Sequence, residues 1–200
     1  TYFDEAIQID PTHVRARLNR TSIHMANEDA QAALDDAKVL LELAPGLALA
    51  KLRKAEANMM LSNWEEAKDD LEQIVEDAPH HHHALTQLAS CFMAMDRPEK
   101  AEAPLNEALR LAPDHTEAWH QRGLLYLDWA QEESALNDFE AAVRCDGNHL
   151  GARLRIAAIH HKAERFSEAL GAWNGVLAIE PEHTVARRRR EECEMALASI

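Results

Sequence analysis

The chain of 200 residues is poor in several residue types on which common functions depend. Its six glycines form no phosphate-binding loop, and neither a nucleophile elbow nor a His-Glu-x-x-His sequence is present. Its three cysteines lack paired spacing, so we expect small, reduced packing residues rather than a disulfide framework or a zinc motif. These absences predict a protein that is not an enzyme, with no catalytic residue, no cofactor and no metal ligand. They favour a reducing compartment such as the cytoplasm.

Basic charge and long apolar runs are also scarce. The net charge is −14, whereas a nucleic-acid partner would need a basic stripe facing the phosphate backbone. The one basic cluster, Arg187–Arg190, is followed by glutamates at i+4 spacing, which favours a solvated helix face. No apolar run approaches the roughly 20 residues that a membrane span needs. We therefore expect neither nucleic acid nor direct membrane insertion.

A period of 34 residues organises the chain instead. Alanine recurs at one place in this period and small residues recur at another, which indicates two helices that cross closely. Such a period predicts an array of one helical unit that buries its apolar face against its neighbours. The residues that mark the period, each expected to follow a helix, are Pro11, Pro45, Pro79, Pro113, Gly147 and Pro181.

This pattern resembles the tetratricopeptide repeat. The resemblance implies an all-α fold, a right-handed α-solenoid of helix-turn-helix repeats, with helix A at positions 1–14 and helix B at positions 18–31 of each repeat. It predicts one array over residues 1–200, made of a helix B at 1–13, full repeats at 14–47, 48–81, 82–115, 116–149 and 150–183, and a capping helix at 184–200. The residues that carry most of the family signature are Trp119, Gly123, Tyr126, Ala135, Phe139 and Ala142.

Three local features of the repeats give testable expectations. Basic residues at position 7 and aspartates at position 23 occur together or not at all, which predicts ion pairs between helices A and B for Arg20–Asp36, Lys54–Asp70 and Arg122–Asp138. Pro104 predicts a kink or a late start of its helix B. Arginine or lysine replaces the family's position-4 aromatic in the repeats at 14–47, 48–81 and 150–183, which suggests looser packing there.

The stripe at positions 2, 5, 9 and 12 of helix A is the predicted binding surface. The resemblance implies that helix A lines a concave face, with contacts at positions 2, 5, 6, 9, 12 and 13. Because four of the six methionines recur at position 12, we expect a Met/Leu-rich groove for an amphipathic helix or peptide of a partner protein. The alternative is that these methionines fill space between neighbouring A helices. The predicted contacts are Arg15, Leu18, Ser22, Met25, Leu52, Arg53, Glu56, Met59, Met60, Thr86, Ser90, Met93, His120, Leu124, Leu127, Leu154 and His161.

Other functions stay open at this point. Thr1 falls inside a helix B, so we expect a fragment, and the chain could be the repeat arm of a larger enzyme such as a transferase or hydroxylase. It could also self-assemble into a homo-oligomer through its terminal repeats. The run His80–His83 is interpreted as a polar turn rather than a metal site, because four adjacent imidazoles at a turn need not converge.

Overall fold

A computed structural model describes residues 2–199, and these residues are helical with short turns and no strand. Thr1 and Ile200, which we expected in the first helix B and in the capping helix, lie outside the described residues. The helices are α1 Tyr2–Ile9, α2 Val14–Ala26, α3 Ala30–Leu43, α4 Ala48–Met60, α5 Trp64–Asp77, α6 His82–Ala94, α7 Glu102–Leu111, α8 Thr116–Asp128, α9 Glu132–Cys145, α10 Leu150–Lys162, α11 Phe166–Ile179 and α12 Thr184–Ala198.

The contacts between residues divide the chain into two compact units, residues 1–111 and 112–200. The first contains α1 to α7 and the second contains α8 to α12. Within each unit, helices that follow one another in sequence pack together. The single array over 1–200 stays a prediction.

Alanine permits the close crossing of helix A and helix B within a repeat. The alanines at position 20 have no exposed surface. In α8 the ring of Phe139 packs directly on Gly123, because a Cβ added there would lie 2.7 Å from that ring. The buried alanines are Ala33, Ala67, Ala101, Ala135 and Ala169.

Each turn from helix A to helix B contains a residue with left-handed backbone although none of these residues is glycine. In the first repeat, the Asp29 amide donates to the His24 carbonyl and the Glu28 amide donates to the Met25 carbonyl. This pair of bonds is a Schellman motif, which satisfies the last carbonyls of the helix. The left-handed residues, with φ between 56° and 61°, are Glu28, Ser62, Asp96, Ala130 and Glu164.

Histidine caps several of the A helices. His149 Nδ1 accepts a hydrogen bond of 3.0 Å from the Ala152 amide, three residues into the helix. Such a bond satisfies one of the backbone N–H groups that have no partner at a helix start. The capping residues with this bond are His13, His81, His149 and His183.

Four of the position-4 side chains make the same hydrogen bond, and looser packing of the repeats without the aromatic stays a prediction. Trp119 Nε1 donates to the Pro113 carbonyl at 2.8 Å. Arg153 Nε donates in the same way to the Gly147 carbonyl at 2.8 Å. The arginines Arg17 and Arg187 donate to the carbonyls of Pro11 and Pro181. Arginine therefore replaces the tryptophan donor, and both fasten helix A to the residue that marks the period.

The predicted ion pairs between helices A and B are confirmed. Arg20 donates to Asp36 at 2.6 and 2.7 Å, Lys54 to Asp70 at 2.8 Å, and Arg122 to Asp138 at 2.7 and 2.9 Å. The arginine side chains of two of these pairs, Arg20 and Arg122, are 21% and 18% exposed. The side chains of Asp36 and Asp138 are only 5% and 6% exposed. Loss of Asp138 would remove a buried counter-charge from Arg122, whereas Arg20 also pairs with Asp4 at 2.9 Å.

The late start of the helix that contains Pro104 is also confirmed. A 3₁₀ turn spans Pro98–Lys100, and α7 begins only at Glu102. Pro104 is therefore the third residue of α7. A helix has no internal acceptor for the amides of its first turn, so a proline is tolerated there.

Candidate peptide-binding groove

In the first compact unit, three A helices line a concavity of about 330 Å³. It is open to solvent, and α2, α4 and α6 each contribute to its wall. We call it the methionine groove and define it by Met25, Arg53, Glu56, Met59, Met60 and Gln87.

The three methionines of the groove differ in exposure. Met60 is 42% exposed and Met59 is half-buried, so both offer apolar surface to a ligand. Met25 packs against the buried residues Ala33, Leu34 and Ala57. The two alternatives for position 12 therefore both apply: Met25 also serves the core, whereas Met59 and its neighbour Met60 present surface.

A polar network forms the other part of the methionine groove. Arg53 donates to Glu56 at 2.6 Å, and His83 Nε2 lies 3.1 Å from the second carboxylate oxygen. Gln87 Nε2 lies 3.5 Å from His83 Nε2. Burial of the Glu56 carboxyl opposes ionisation, but the hydrogen bonds from His83 and Arg53 outweigh it and lower the pKa below its ordinary value. The groove thus presents one fixed carboxylate beside flexible methionines.

Other predicted contacts in the first compact unit have different surroundings. Leu52 and Thr86 are 8% and 1% exposed, so the expectation that they contribute contact surface is wrong. Both occupy position 5, which faces the packed side of α4 and α6. Gln87 was missed, although it occupies position 6 like Arg53 and could have been found by that comparison. The remaining predicted contacts, exposed or half-buried, are Arg15, Leu18, Ser22, Ser90 and Met93.

The predicted contacts in the second compact unit mostly pack against its cores. Leu124 and Leu127 pack against a cluster around Phe139, and Leu154 packs against a cluster around Trp173. His120 lies between Phe139 and His149, with ring centroids 5.7 and 4.7 Å away. Burial of the imidazole is the main cause that lowers the pKa of His120 below its usual range.

His161 lies at a second concavity, of about 460 Å³, which Trp173 and Arg189 also line. Its Nδ1 lies 3.3 Å from Cys193 Sγ, a spacing found in nucleophilic Cys–His pairs. Cys193 has no exposed surface, and burial raises the pKa of its thiol. Both properties disfavour a thiolate nucleophile.

The other cysteines divide into one buried and one exposed residue. Cys91 is buried, and burial raises the pKa of its thiol to about 11. Cys145 is exposed, contrary to the expected packing role, because it is the last residue of α9.

Models of protein families match part of the sequence. Models described as tetratricopeptide repeat match residues 61–123 and 116–149. Residues 61–149 are therefore assigned to the tetratricopeptide-repeat family. No curated protein sequence matches the chain. Members of this family are in general scaffolds without catalytic activity.

Solved structures share the tetratricopeptide-repeat fold at low sequence identity. The thermophilic TPR protein TTC0263 of Thermus thermophilus has a TM-score of 0.76 and 20% identity, over 91% of this chain and 99% of that chain. YrrB, described as a TPR protein with an unusual peptide-binding site, has a TM-score of 0.63 and 21% identity, over 96% and 98%. The APC/C hetero-tetramer Cut9–Hcn1 has a TM-score of 0.83 and 17% identity, over 96% of this chain and 38% of that chain. These likenesses confirm the all-α repeat fold.

Among the described residues, no helix combines the length and the apolar character needed to cross a bilayer.

Proposed function

We propose that the chain is a protein-interaction scaffold whose methionine groove binds an amphipathic helix or an extended apolar peptide of a partner protein. The observation that carries this proposal is the combination of exposed Met60, half-buried Met59 and the fixed carboxylate of Glu56 in one open concavity. YrrB, which has the same fold, is described as having a peptide-binding site.

The chemistry of the groove favours a peptide over a small molecule. Methionine side chains are unbranched and polarisable, so they adapt to side chains of different shape. The concavity is shallow and spans three helices, whereas small-molecule sites enclose most of their ligand. A peptide with apolar residues on one face fits the methionines and excludes water from them.

The charge of the whole chain bears on the polar part of the partner. Within the groove, the ionised Glu56 is already paired with Arg53. The whole chain has a net charge of −14, which attracts partners with a basic face and raises their association rate. The expected partner segment therefore combines an apolar face with lysine or arginine residues at its edge.

Co-purification from native lysate, followed by titration of the peptide identified, tests this proposal. Met60→Glu places a charge on an exposed side chain, so the fold is retained and peptide binding weakens by about tenfold or more. The matched control is Gln73→Glu, which adds the same charge on the exposed surface of α5, outside the groove. A peptide affinity lowered by Met60→Glu and kept by Gln73→Glu supports the proposal. Equal affinities in both variants contradict it.

A further inference from the structure

In the second compact unit, a carboxylate and two imidazoles converge at the start of α10. Glu117 and His120 lie three residues apart on α8, and His149 is the N-cap of α10. Each offers a ligand atom, and the three atoms lie within 4.8 Å of one another. None of the residues His80–His83 belongs to such a group within residues 2–199.

Local structure explains why these side chains meet. Residues at i and i+3 share one face of a helix, so Glu117 and His120 project together from α8. A Cβ on Gly151 would lie 3.2 Å from His120 Nε2 and 3.4 Å from His149 Cε1. Because glycine has no Cβ, both rings lie close to the first turn of α10. Their centroids are 4.7 Å apart.

We propose that Glu117, His120 and His149 bind a divalent transition-metal ion such as Zn²⁺. Two imidazole nitrogens and one carboxylate oxygen are the three protein ligands of a common class of zinc site, which leaves a fourth position for water. Imidazole donors also suit Cu²⁺ and Ni²⁺, whereas Ca²⁺ and Mg²⁺ prefer sites made of oxygen.

The donors need only a small movement to reach coordination distance. Metal bonds of about 2.1 Å bring tetrahedral ligands to within about 3.4 Å of one another. His149 Nε2 and Glu117 Oε2 are already 3.8 Å apart. The Glu117 side chain is 43% exposed, so it can rotate toward the rings and leaves the site open to an ion from solvent.

A neighbouring side chain orients the carboxylate. Gln121 Nε2 donates to Glu117 Oε1 at 2.6 Å, while Oε2 is the oxygen nearest His149. Such partners fix the direction of a ligand and typically contribute about 10–100-fold to metal affinity.

The capping bond of His149 limits the affinity of the proposed site. Nδ1 accepts from the Ala152 amide, so a neutral ring has its proton on Nε2. A metal ion bound at Nε2 displaces that proton. The neutral ring then carries its proton on Nδ1, which can no longer accept from the Ala152 amide. Metal binding therefore costs the hydrogen bond that caps α10. His183 makes the same cap on α12 and lies outside the group of metal-compatible side chains that includes His149, so it is a natural control.

Calorimetric titration with Zn²⁺ tests the site, using a chain in which His80→Ser and His82→Ser interrupt the histidine run. His149→Asn is the central variant, because asparagine retains an N-cap and lacks the imidazole ligand. We expect it to weaken Zn²⁺ binding by at least tenfold, and His183→Asn to leave binding unchanged. His120→Gln removes a second ligand, and circular dichroism reports whether each variant folds.

The Zn²⁺ affinities of the variants show whether the metal site exists. Loss of affinity in His149→Asn and His120→Gln, together with a visible Co²⁺ absorption band that disappears in both, supports the site. Zn²⁺ affinity that is equal in the starting chain and in His149→Asn overturns it, and so does the absence of binding tighter than high micromolar. None of these results depends on the methionine groove.

Discussion

The hairpins α8–α9 and α10–α11 lie in the same compact unit but join their two helices by different means. In α8–α9 the Arg122 guanidinium pairs with the buried Asp138 and lies 4.9 Å from the Trp119 ring. In α10–α11 the equivalent residues are Ile156 and Ala172. Both hairpins keep a buried alanine at position 20 and a left-handed turn residue. The crossing of small residues and the turn are therefore common to the repeats, while the contacts around them can be ionic or apolar.

The largest expected effect comes from breaking the ionic contact. Asp138→Ala removes the buried carboxylate that pairs with Arg122, and we expect the free energy of unfolding to fall by about 3 kcal/mol in urea unfolding. The double variant Arg122→Ile, Asp138→Ala copies the apolar pair of α10–α11 and should recover most of that loss. A single variant that costs less than about 1 kcal/mol would show that solvent screens the pair.

The next effect concerns the contact between Gly123 and the Phe139 ring. Gly123→Ala places a methyl group 2.7 Å from the Phe139 ring, so the ring must move. We expect a loss of about 1–3 kcal/mol in unfolding free energy. In α10–α11 the same position is Ala157, and the reverse change Ala157→Gly serves as the control, with an expected cost of about 1 kcal/mol. If Phe139→Leu does not relieve the loss in Gly123→Ala, the steric explanation is wrong.

A smaller effect concerns the histidine cap of α10. His149→Ala removes the acceptor for the Ala152 amide and should lower the unfolding free energy by about 1 kcal/mol, measured without added metal. His149→Asn keeps a capping oxygen, so its stability should match that of the unaltered chain. Equal losses in both variants would assign the contribution of His149 to ring packing instead of capping.

The smallest expected effect is a gain in stability, and we expect it in both hairpins. Ala130 and Glu164 hold left-handed backbone with φ of 56°, which costs free energy for any residue with a Cβ. Replacing either with glycine should raise the thermal midpoint and add about 0.4–1 kcal/mol. Ala158→Gly, in the interior of α10, should instead destabilise by about 1 kcal/mol. Destabilisation by Ala130→Gly would contradict the assigned turn.

The sequence predicted those features that depend on period and covariation. These features are the residues that follow the B helices, the ion pairs and the late start of α7. The sequence did not predict the left-handed turns, because no glycine marks them. It also missed the arginine donors at position 4, since the shared hydrogen bond to a carbonyl six residues earlier depends on three-dimensional geometry.

The binding surface was harder to predict because burial depends on neighbouring helices. Leu52 lies on the predicted stripe, yet packing against the rest of the compact unit buries it. Gln87 lines the methionine groove from position 6, where the predicted contacts included only Arg53. Glu117 and His149 are separated by most of a repeat, so no short motif connects them, and only the packing of α8 beside the start of α10 brings them together.

Photo-crosslinking tests the methionine groove most directly. A photoreactive methionine analogue at Met59 is compared with a photoreactive residue at Gln73, using the partner identified by co-purification. We predict crosslinks to the partner from residue 59, lost when unlabelled peptide competes, and none from residue 73. Crosslinks from residue 73 alone, with residue 59 unreactive in the bound complex, would contradict binding in the groove.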